Sequence, residues 1–348
     1  MRKEKVLVTG GSGYFGEILC KNLIKEGFEC SILDLNEPDH KLLEGKVTFF
    51  KCDIRDREKV LEATEDIDFV FHNVAQVPLS KNKKLFHEVN YLGTENILWA
   101  SLQNKIKSFI YTSSSAIYGI PSLNPVLEST DPKPGESYGK AKLDGEKIVL
   151  EYMNKGLKCS IIRPRTILGN GRLGIFQILF EWVYQNKNIP VFDSGSNIYQ
   201  FVHSEDLADA MIKCIHTKNP GIYNIGASDF CTMKETLAHL INNSKSTSKI
   251  KSINSRIIIP FMKLASVLGI SPLGAYHSMM YGKSMYFDIA KAKKELKWEP
   301  KFSNKEMILE SYNNYIDNRV SILNNNKKKS PHKGPVKQGI LNLINSII

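Results

Sequence analysis

The stretch TGGSGYFG at residues 9–16 decides the fold. It follows the short β-branched run VLVT (6–9) and opens a segment with helical spacing. Gly10, Gly13 and Gly16 are spaced so that the backbone can turn tightly and approach a pyrophosphate, which then lies at the N-terminus of the helix. In this strand–turn–helix context, the pattern predicts a dinucleotide-binding βαβ unit.

Asp34 ends the second strand-like run, 24 residues after Gly10. A carboxylate at this place can accept hydrogen bonds from both ribose hydroxyls of an adenosine, and it repels a 2′-phosphate. Asp34 therefore favours NAD over NADP. The alternative is that Asp34 only begins a turn.

Strand-like and helix-like segments alternate along the first half of the chain. The predicted strands are 6–9, 30–35, 47–53, 68–74, 107–113 and 157–163. The predicted helices between them are 14–26, 56–65, 84–103 and 136–154. This alternation predicts an α/β fold, a Rossmann-type doubly wound parallel sheet.

The alternation loosens from about residue 167, where helices are predicted at 174–187, 204–216, 232–242 and 289–296. They suit a smaller C-terminal substrate-binding cap. We therefore expect an NAD-binding Rossmann domain over 1–166, to which the chain returns around 198–226. The range 167–320 is then mainly cap, and 321–348 is a basic linker with a short apolar tail.

Composition excludes several classes of protein. Hydrophobic residues make up 42% of the chain, which is enough for a large core. The six cysteines form no C-x-x-C pair, which favours reduced thiols in the cytoplasm and no metal site. The start MRKEKVLVTGG lacks the long apolar region of a signal peptide. Five of the lysines behind the net charge of +11 lie in 323–348, so the folded part is only mildly basic and nucleic-acid binding is not expected.

Two apolar segments raise the question of membrane contact. The run 257–276 is broken by prolines, glycines and Lys263, which favours a buried cap helix of about ten residues over a membrane span. In the tail, 324–335 has the composition of a linker, and 336–348 carries an apolar stripe. That stripe can make a peripheral membrane contact, or it can pack on the cap or on another subunit.

SYGKAK (137–142) places Tyr138 and Lys142 four positions apart, so on a helix both side chains face one site. An unperturbed phenol has a pKa of about 10, and a base that works near neutral pH needs its anion favoured by roughly 4 kcal/mol. A nearby lysine and a cationic cofactor can supply this. Alone, the pattern is more typical of a solvated helix face.

The motifs together resemble the extended short-chain dehydrogenases/reductases of the NAD-dependent epimerase/dehydratase type, over roughly residues 3–318. The matching pieces are TGGSGYFG, ILDL, KCDIRD, HNVAQV, EVNYLGTENIL, YTSSSAIYG, SYGKAK, IIRP, QFVHSEDLADA and KAKKELKWEP. The resemblance implies NAD as cofactor and a homodimer.

The resemblance also implies roles for individual residues. Ser114 would be the catalytic hydroxyl, Tyr138 the acid/base and Lys142 its partner, which also holds the nicotinamide ribose. Asp53 and Ile54 would lie against the adenine. The expected cofactor-binding residues are Gly10, Gly13, Tyr14, Phe15, Gly16, Asp34, Asp53, Ile54, Val74, Ala75, Gln76, Asn90, Tyr138, Lys142 and Pro164.

The substrate is less well defined. Nucleotide-sugar members of this family carry Arg-Asp where this chain has Tyr199 and Gln200, and neither replaces the charge of a phosphate-binding arginine. The candidate substrate-binding residues are Tyr199 itself and the cations Arg163, Arg165, Arg172 and Lys283.

Three functions remain open at this point. The first is a nucleotide-sugar epimerase or dehydratase; epimerisation is preferred because SSSAIYG carries no acidic residue beside Ser114. The second is an oxidoreductase similar to the 3-beta-hydroxysteroid dehydrogenases, which acts on a lipid alcohol or ketone. The third is a non-catalytic NAD-sensing regulator, which the intact tyrosine–lysine pair disfavours.

Overall fold

A computed structural model of the chain describes residues 2–39, 43, 45–75, 83–260 and 280–324. Its strands are β1 Lys5–Thr9, β2 Glu29–Asp34, β3 Val47–Lys51, β4 Phe69–His72, β5 Ser108–Thr112, β6 Cys159–Pro164, β7 Thr166–Leu168, β8 Ile189–Phe192, β9 Phe201–His203, β10 Ile222–Ile225 and β11 Ile250–Ile253. Its helices are α1 Tyr14–Lys25, α2 Arg57–Ala63, α3 Lys83–His87, α4 Gly93–Gln103, α5 Ser137–Asn154, α6 Ile175–Tyr184, α7 Ser204–Lys213, α8 Met233–Asn243, α9 Ala290–Leu296 and α10 Asn304–Asn324.

The predicted α/β fold is confirmed by a seven-stranded parallel sheet with the order β10-β6-β5-β4-β1-β2-β3. The strand β1 lies inside the sheet and pairs with β2 on one side and β4 on the other. From β1 the chain adds β2 and β3 on one side of the sheet, and then β4, β5, β6 and β10 on the other side. The reversal leaves a crevice at the carboxyl ends of β1 and β4, which is where open α/β sheets bind ligands.

Both faces of the sheet are buried. Val6 and Val8 point into a cluster that includes Leu19 of α1 and Met211 of α7, whereas Leu7 points into a cluster with residues of α4 and α5. The two faces explain why the strands read as nearly continuous apolar runs. All six cysteines are free thiols, and five of them are buried.

The helix α5 carries SYGKAK and is capped at both ends. The carboxylate of Glu136 accepts hydrogen bonds from the backbone N–H groups of Tyr138 at 2.7 Å and Gly139 at 2.6 Å. After the helix, Gly156 has φ +96°, the left-handed conformation expected beyond a C-cap. A Cβ on Gly145 would lie 2.1 Å from the Tyr111 hydroxyl, so this glycine allows α5 to pack tightly on β5.

The second half of the chain forms a third apolar cluster, which α6, α8 and α10 share. Two small parallel pairs, β8 with β11 and β7 with β9, accompany these helices. The sequence predicted α6, α7, α8 and α9, but neither α10 nor any of the short strands of this region. The chain also returns to the main sheet, because β10 pairs with β6.

Several predictions fall outside the described residues, namely those on Gln76, most of the apolar run 257–276, and the tail beyond residue 324. Residues 255–260 are helical, and Ile257 is 62% exposed. Among the residues that are described, no helix is long and apolar enough to cross a membrane. The same residues contain no cluster of side chains that could hold a metal ion.

Candidate active site

The glycine turn lies between β1 and α1 and leaves space for a ligand. Gly10 has φ +69°, and a Cβ on Gly16 would lie 2.2 Å from the Gly10 carbonyl oxygen. Gly13 is the N-cap of α1 and makes no side-chain capping bond. The backbone is therefore close-packed where a side chain would intrude, and no capping side chain competes with an anion for the first N–H groups of the helix.

Asp34 lies beside this turn at the end of β2. Its carboxylate accepts hydrogen bonds from the backbone N–H groups of Ser12 at 3.2 Å and Asn36 at 3.0 Å. Burial raises the pKa of Asp34, and these backbone bonds counteract the rise. The carboxylate thus lies beside the glycine turn, at the end of the second strand, where this fold binds the adenosine ribose.

The residues expected around the adenine lie on the neighbouring loops. Asp53 forms two hydrogen bonds with the Arg55 guanidinium, at 3.0 and 2.7 Å, which hold the pKa of its carboxyl below the usual value. Ile54 is buried against Gly93 at the start of α4. Asn90 is buried in the π-helical turn Glu88–Leu92 that precedes α4.

Other expected cofactor residues line the edges of the same crevice. Val74 follows β4, and its backbone lies against Gly10. Pro164 ends β6 and pairs with Ile225 of β10. Phe15 is half-buried on α1 and packs against the first apolar cluster. Ala75 is the last described residue before the gap at 76–82.

Tyr138 lies in the first turn of α5 and is half-buried. Burial raises the pKa of its phenol, a hydrogen bond with the Ser114 side chain lowers it, the charge of Glu136 raises it, and the charge of Arg172 lowers it. Of the three serines in YTSSSAIYG, Ser114 is the one whose side chain acts on the pKa of the Tyr138 phenol. Ser113 instead donates to the buried carboxylate of Glu146.

Lys142 follows Tyr138 by one helical turn. Its Nζ donates a hydrogen bond to the Thr112 carbonyl oxygen at 2.7 Å and lies 5.0 Å from the centroid of the Tyr111 ring. Burial lowers the pKa of Lys142 to about 7, and the charge of Glu146 acts in the opposite direction. In this structure the cation that acts directly on the phenol of Tyr138 is thus Arg172.

Arg172 reaches the site from the loop after β7. Its Cζ lies 5.4 Å from the centroid of the Tyr14 ring, and its buried Nε has no hydrogen-bond partner. Burial lowers the pKa of this guanidinium, and the phenols of Tyr14 and Tyr138 act against that. Burial also raises the pKa of Tyr14 to about 12, so Tyr14 stays neutral and donates to Ser204 at 3.4 Å.

The other candidate substrate-binding residues differ in their exposure and in whether their polar groups are already bonded within the protein. Arg163 is paired within the protein, since its Nη2 lies 2.6 Å from Glu146 and its Nη1 lies 2.6 Å from the Tyr118 hydroxyl. Lys283 is exposed. Tyr199 is half-buried, and its hydroxyl shares a hydrogen bond with Thr166 at 2.8 Å.

Three residues that support the site were not singled out from the sequence. Glu136 caps α5, Thr112 holds Lys142 through its carbonyl oxygen, and the charge of Glu146 raises the pKa of Lys142 against the effect of burial. A backbone carbonyl has no signature in sequence. Serine, threonine, aspartate and asparagine are the usual N-caps, so Glu136 carried no clear signal either.

The residues present fit a dinucleotide. The turn at Gly10 and Gly16 admits only backbone, the N-terminus of α1 is open to an anion, and the Asp34 carboxylate lies beside it. The fold and this site define an α/β enzyme that uses a nicotinamide dinucleotide.

Comparison with known proteins identifies the family. The model of the NAD dependent epimerase/dehydratase family matches residues 6–226, and the chain belongs to this family. NAD is its cofactor.

Two relatives and one solved structure illustrate the similarity. An uncharacterised protein of Sinorhizobium fredii, y4nG, is 51% identical over 98% of this chain and 85% of its own length. The UDP-glucose 4-epimerase of Lactobacillus helveticus is 29% identical over 88% of this chain and 94% of its own length. The UDP-glucuronic acid 4-epimerase of Bacillus cereus, solved with NAD, superposes with a TM-score of 0.74 at 22% identity, over 90% of this chain and 99% of that one.

Asp34→Ala should relax the preference for NAD over NADP. The variant loses the carboxylate that repels a 2′-phosphate, so the ratio of the two dissociation constants should fall about tenfold or more. Titration of the purified protein with each dinucleotide measures this ratio. Glu58→Gln, which removes an exposed carboxylate from α2, is the control. Unchanged discrimination in Asp34→Ala would place another residue at the ribose.

Lys142 should make the stability of the free protein depend on pH. Its pKa is about 7 in the fold and about 10.4 in the unfolded chain, so between these values the unfolded chain binds the extra proton. The free energy of unfolding therefore rises from pH 7 to pH 10, by about 4 kcal/mol from this group. Lys142→Met removes the contribution.

Urea denaturation at pH 7, 8.5 and 10 compares the wild type with Lys142→Met. The free energy of unfolding of the wild type minus that of Lys142→Met should increase as the pH rises. Lys147→Met is the matched control, because Lys147 is exposed on the same helix and should leave the pH dependence unchanged. Parallel curves for the wild type and Lys142→Met would show that the buried lysine keeps its ordinary pKa.

Proposed function

We propose that the protein is an NAD-dependent epimerase of a nucleotide-linked sugar, with Tyr138, Lys142 and Ser114 as its catalytic residues. The observation that carries the proposal is the placement of Lys142, one helical turn after Tyr138 on α5 and bonded to the Thr112 carbonyl oxygen at the end of β5, in the sheet that also holds the glycine turn. The Ser114 side chain acts on the same phenol and lowers its pKa. The similarity to UDP-sugar epimerases supports the substrate class.

Bound NAD supplies the chemistry of taking a hydride from a carbinol carbon and returning it. The protein supplies the proton transfer and the orientation. Ser114 holds the substrate oxygen, and Tyr138 takes the proton of the carbinol hydroxyl and later gives it back. The positive charge of Arg172 favours the phenolate of Tyr138, which burial disfavours.

Lys142 has a second part in this scheme. Its ammonium is fixed by the Thr112 carbonyl at the end of β5, one helical turn from Tyr138. From this place it holds the nicotinamide ribose and adds positive charge near the phenol. Its low pKa in the free protein means that a negative partner or ligand is needed to keep it charged above neutral pH.

Epimerisation is favoured over dehydration because, in the part of the chain that the structure describes, no carboxylate shown to act on the phenol is free to serve as a second acid or base. Glu136 is the acidic residue that acts on Tyr138 electrostatically. Its two oxygens already accept the N–H groups of Tyr138 and Gly139 as the cap of α5. An epimerase needs only one acid/base residue for a hydride that leaves and returns.

Product analysis tests the reaction. Purified protein with NAD is incubated with UDP-glucose or with UDP-galactose, and the products are separated by chromatography while absorbance at 340 nm is followed. Interconversion of the two sugars without net reduction of NAD is the expected result. Net reduction of NAD with a sterol or another lipid alcohol, and none with UDP-sugars, would instead support the hydroxysteroid-dehydrogenase-like function.

Tyr138→Phe should reduce turnover about a hundredfold or more, because it removes only the hydroxyl that transfers the proton. NAD binding, measured by titration, should stay close to that of the wild type. Tyr184→Phe is the matched control, since Tyr184 is 48% exposed on α6 and its loss of a hydroxyl should not change turnover. More than about a tenth of wild-type activity in Tyr138→Phe would contradict the acid/base role.

The homodimer and the membrane contact of 336–348 stay predictions from the sequence. Neither is part of the proposed reaction.

A further inference from the structure

Arg165, the residue after β6, has a guanidinium that is enclosed by the protein but only partly bonded. It is 1% exposed. Its Cζ lies 4.7 Å from the centroid of the Tyr199 ring and 5.5 Å from that of Phe287, and its Nη1 lies 3.1 Å from the sulfur of Met285. Its Nε and Nη2 have no hydrogen-bond partner, and no carboxylate among the described residues forms an ion pair with it.

This environment does not compensate the charge. Removal of an ion from water costs more free energy than a cation–π contact returns, and a thioether is a weak acceptor. Arg163, two residues earlier and within β6, has compensating partners. Its guanidinium donates hydrogen bonds to the Glu146 carboxylate and to the Tyr118 hydroxyl. Arg165 lacks such a partner, and an anionic ligand would supply it.

The free nitrogens also have the right arrangement for such a ligand. Nε and Nη2 share one edge of the guanidinium plane, so their N–H groups point the same way and can donate to two oxygens of one phosphate group. The third nitrogen of the guanidinium, Nη1, is directed toward the Met285 sulfur.

The location of Arg165 relates it to the substrate. Pro164, the residue before it, ends β6 at the carboxyl edge of the sheet, and the Tyr199 ring lies against its guanidinium. Tyr199 occupies the position at which the family resemblance leads us to expect a phosphate-binding arginine. In the structure, the positive charge of Arg165 therefore lies next to position 199, although Arg165 comes from the segment after β6.

We propose that Arg165 binds the diphosphate of the substrate through Nε and Nη2 and so replaces the arginine that is absent at position 199. This inference rests on the proposed nucleotide-sugar function. Because neither nitrogen is accessible to solvent in the structure, binding requires a covering side chain to move. The half-buried Tyr199 ring, which lies against the guanidinium, is that side chain.

Binding of UDP to the NAD-loaded protein tests the assignment without turnover. Calorimetric titration compares the wild type with Arg165→Met and Arg165→Lys. Methionine should weaken UDP binding about 10- to 100-fold, and lysine less, because the ammonium keeps the charge but not the two-pronged geometry. Arg2→Met, which removes an exposed guanidinium near the amino end of β1, is the control and should bind UDP as the wild type does.

The order wild type, lysine, methionine in UDP affinity supports the proposal, with the NAD affinity of each variant as the check on folding. Equal UDP affinity in the wild type and Arg165→Met overturns the role of Arg165 and leaves the nucleotide-sugar function standing. A lysine variant as weak as the methionine variant overturns it as well, because packing alone would then explain the loss. Absence of UDP binding by the wild type overturns both the substrate class and this assignment.

If Arg165→Met does not bind NAD and so is not folded, Arg165→Lys decides the question. UDP affinity equal to that of the wild type then contradicts the proposal, and a loss of about threefold or more at unchanged NAD affinity supports it.

Discussion

The buried ion pair between Glu146 and Arg163 fixes the helix that carries Tyr138 and Lys142, the proposed catalytic residues. Nε and Nη2 of Arg163 donate to the two carboxylate oxygens at 2.9 and 2.6 Å, and the Ser113 hydroxyl donates to the same carboxylate. Both side chains of the pair are at most 4% exposed, so loss of one partner would cost about 3–5 kcal/mol. Since Glu146 lies on α5, Arg163 on β6 and Ser113 after β5, this pair sets the distance between Tyr138 and the sheet.

The other cations near the crevice are not balanced in this way. Lys142 is held by a carbonyl oxygen, Arg165 by two aromatic rings and a thioether, and Arg172 by the Tyr14 ring. Lys142 and Arg165 are buried and Arg172 is half-buried, and the loss of hydration destabilises each of them as an ion in the free protein. A nucleotide sugar brings a diphosphate, and its binding as proposed would remove this cost at Arg165. The site is thus organised for negatively charged ligands before they bind.

Elements that a local sequence pattern forms were predicted accurately. Elements that depend on pairing between distant segments were not. The six strands predicted up to residue 163 are all present, with ends that differ by up to two residues, because long apolar runs are typical of a sheet buried on both faces. The strands β7 to β11 were not predicted. They have three or four residues each, and β8 forms a strand only because β11, about sixty residues further on, pairs with it.

The sequence by itself determined the Rossmann fold, NAD as the cofactor and the neighbourhood of Tyr138 and Lys142, because glycine spacing, strand periodicity and helical spacing are local. Only the tertiary structure decided which cations are available. The sequence presents Arg163, Arg165 and Arg172 within ten residues as equivalent charges. In the fold Arg163 meets Glu146, Arg172 meets Tyr14, and Arg165 is enclosed between Tyr199 and Phe287. These partners are distant in sequence, and the free energy of a buried charge depends on which of them packing brings into contact.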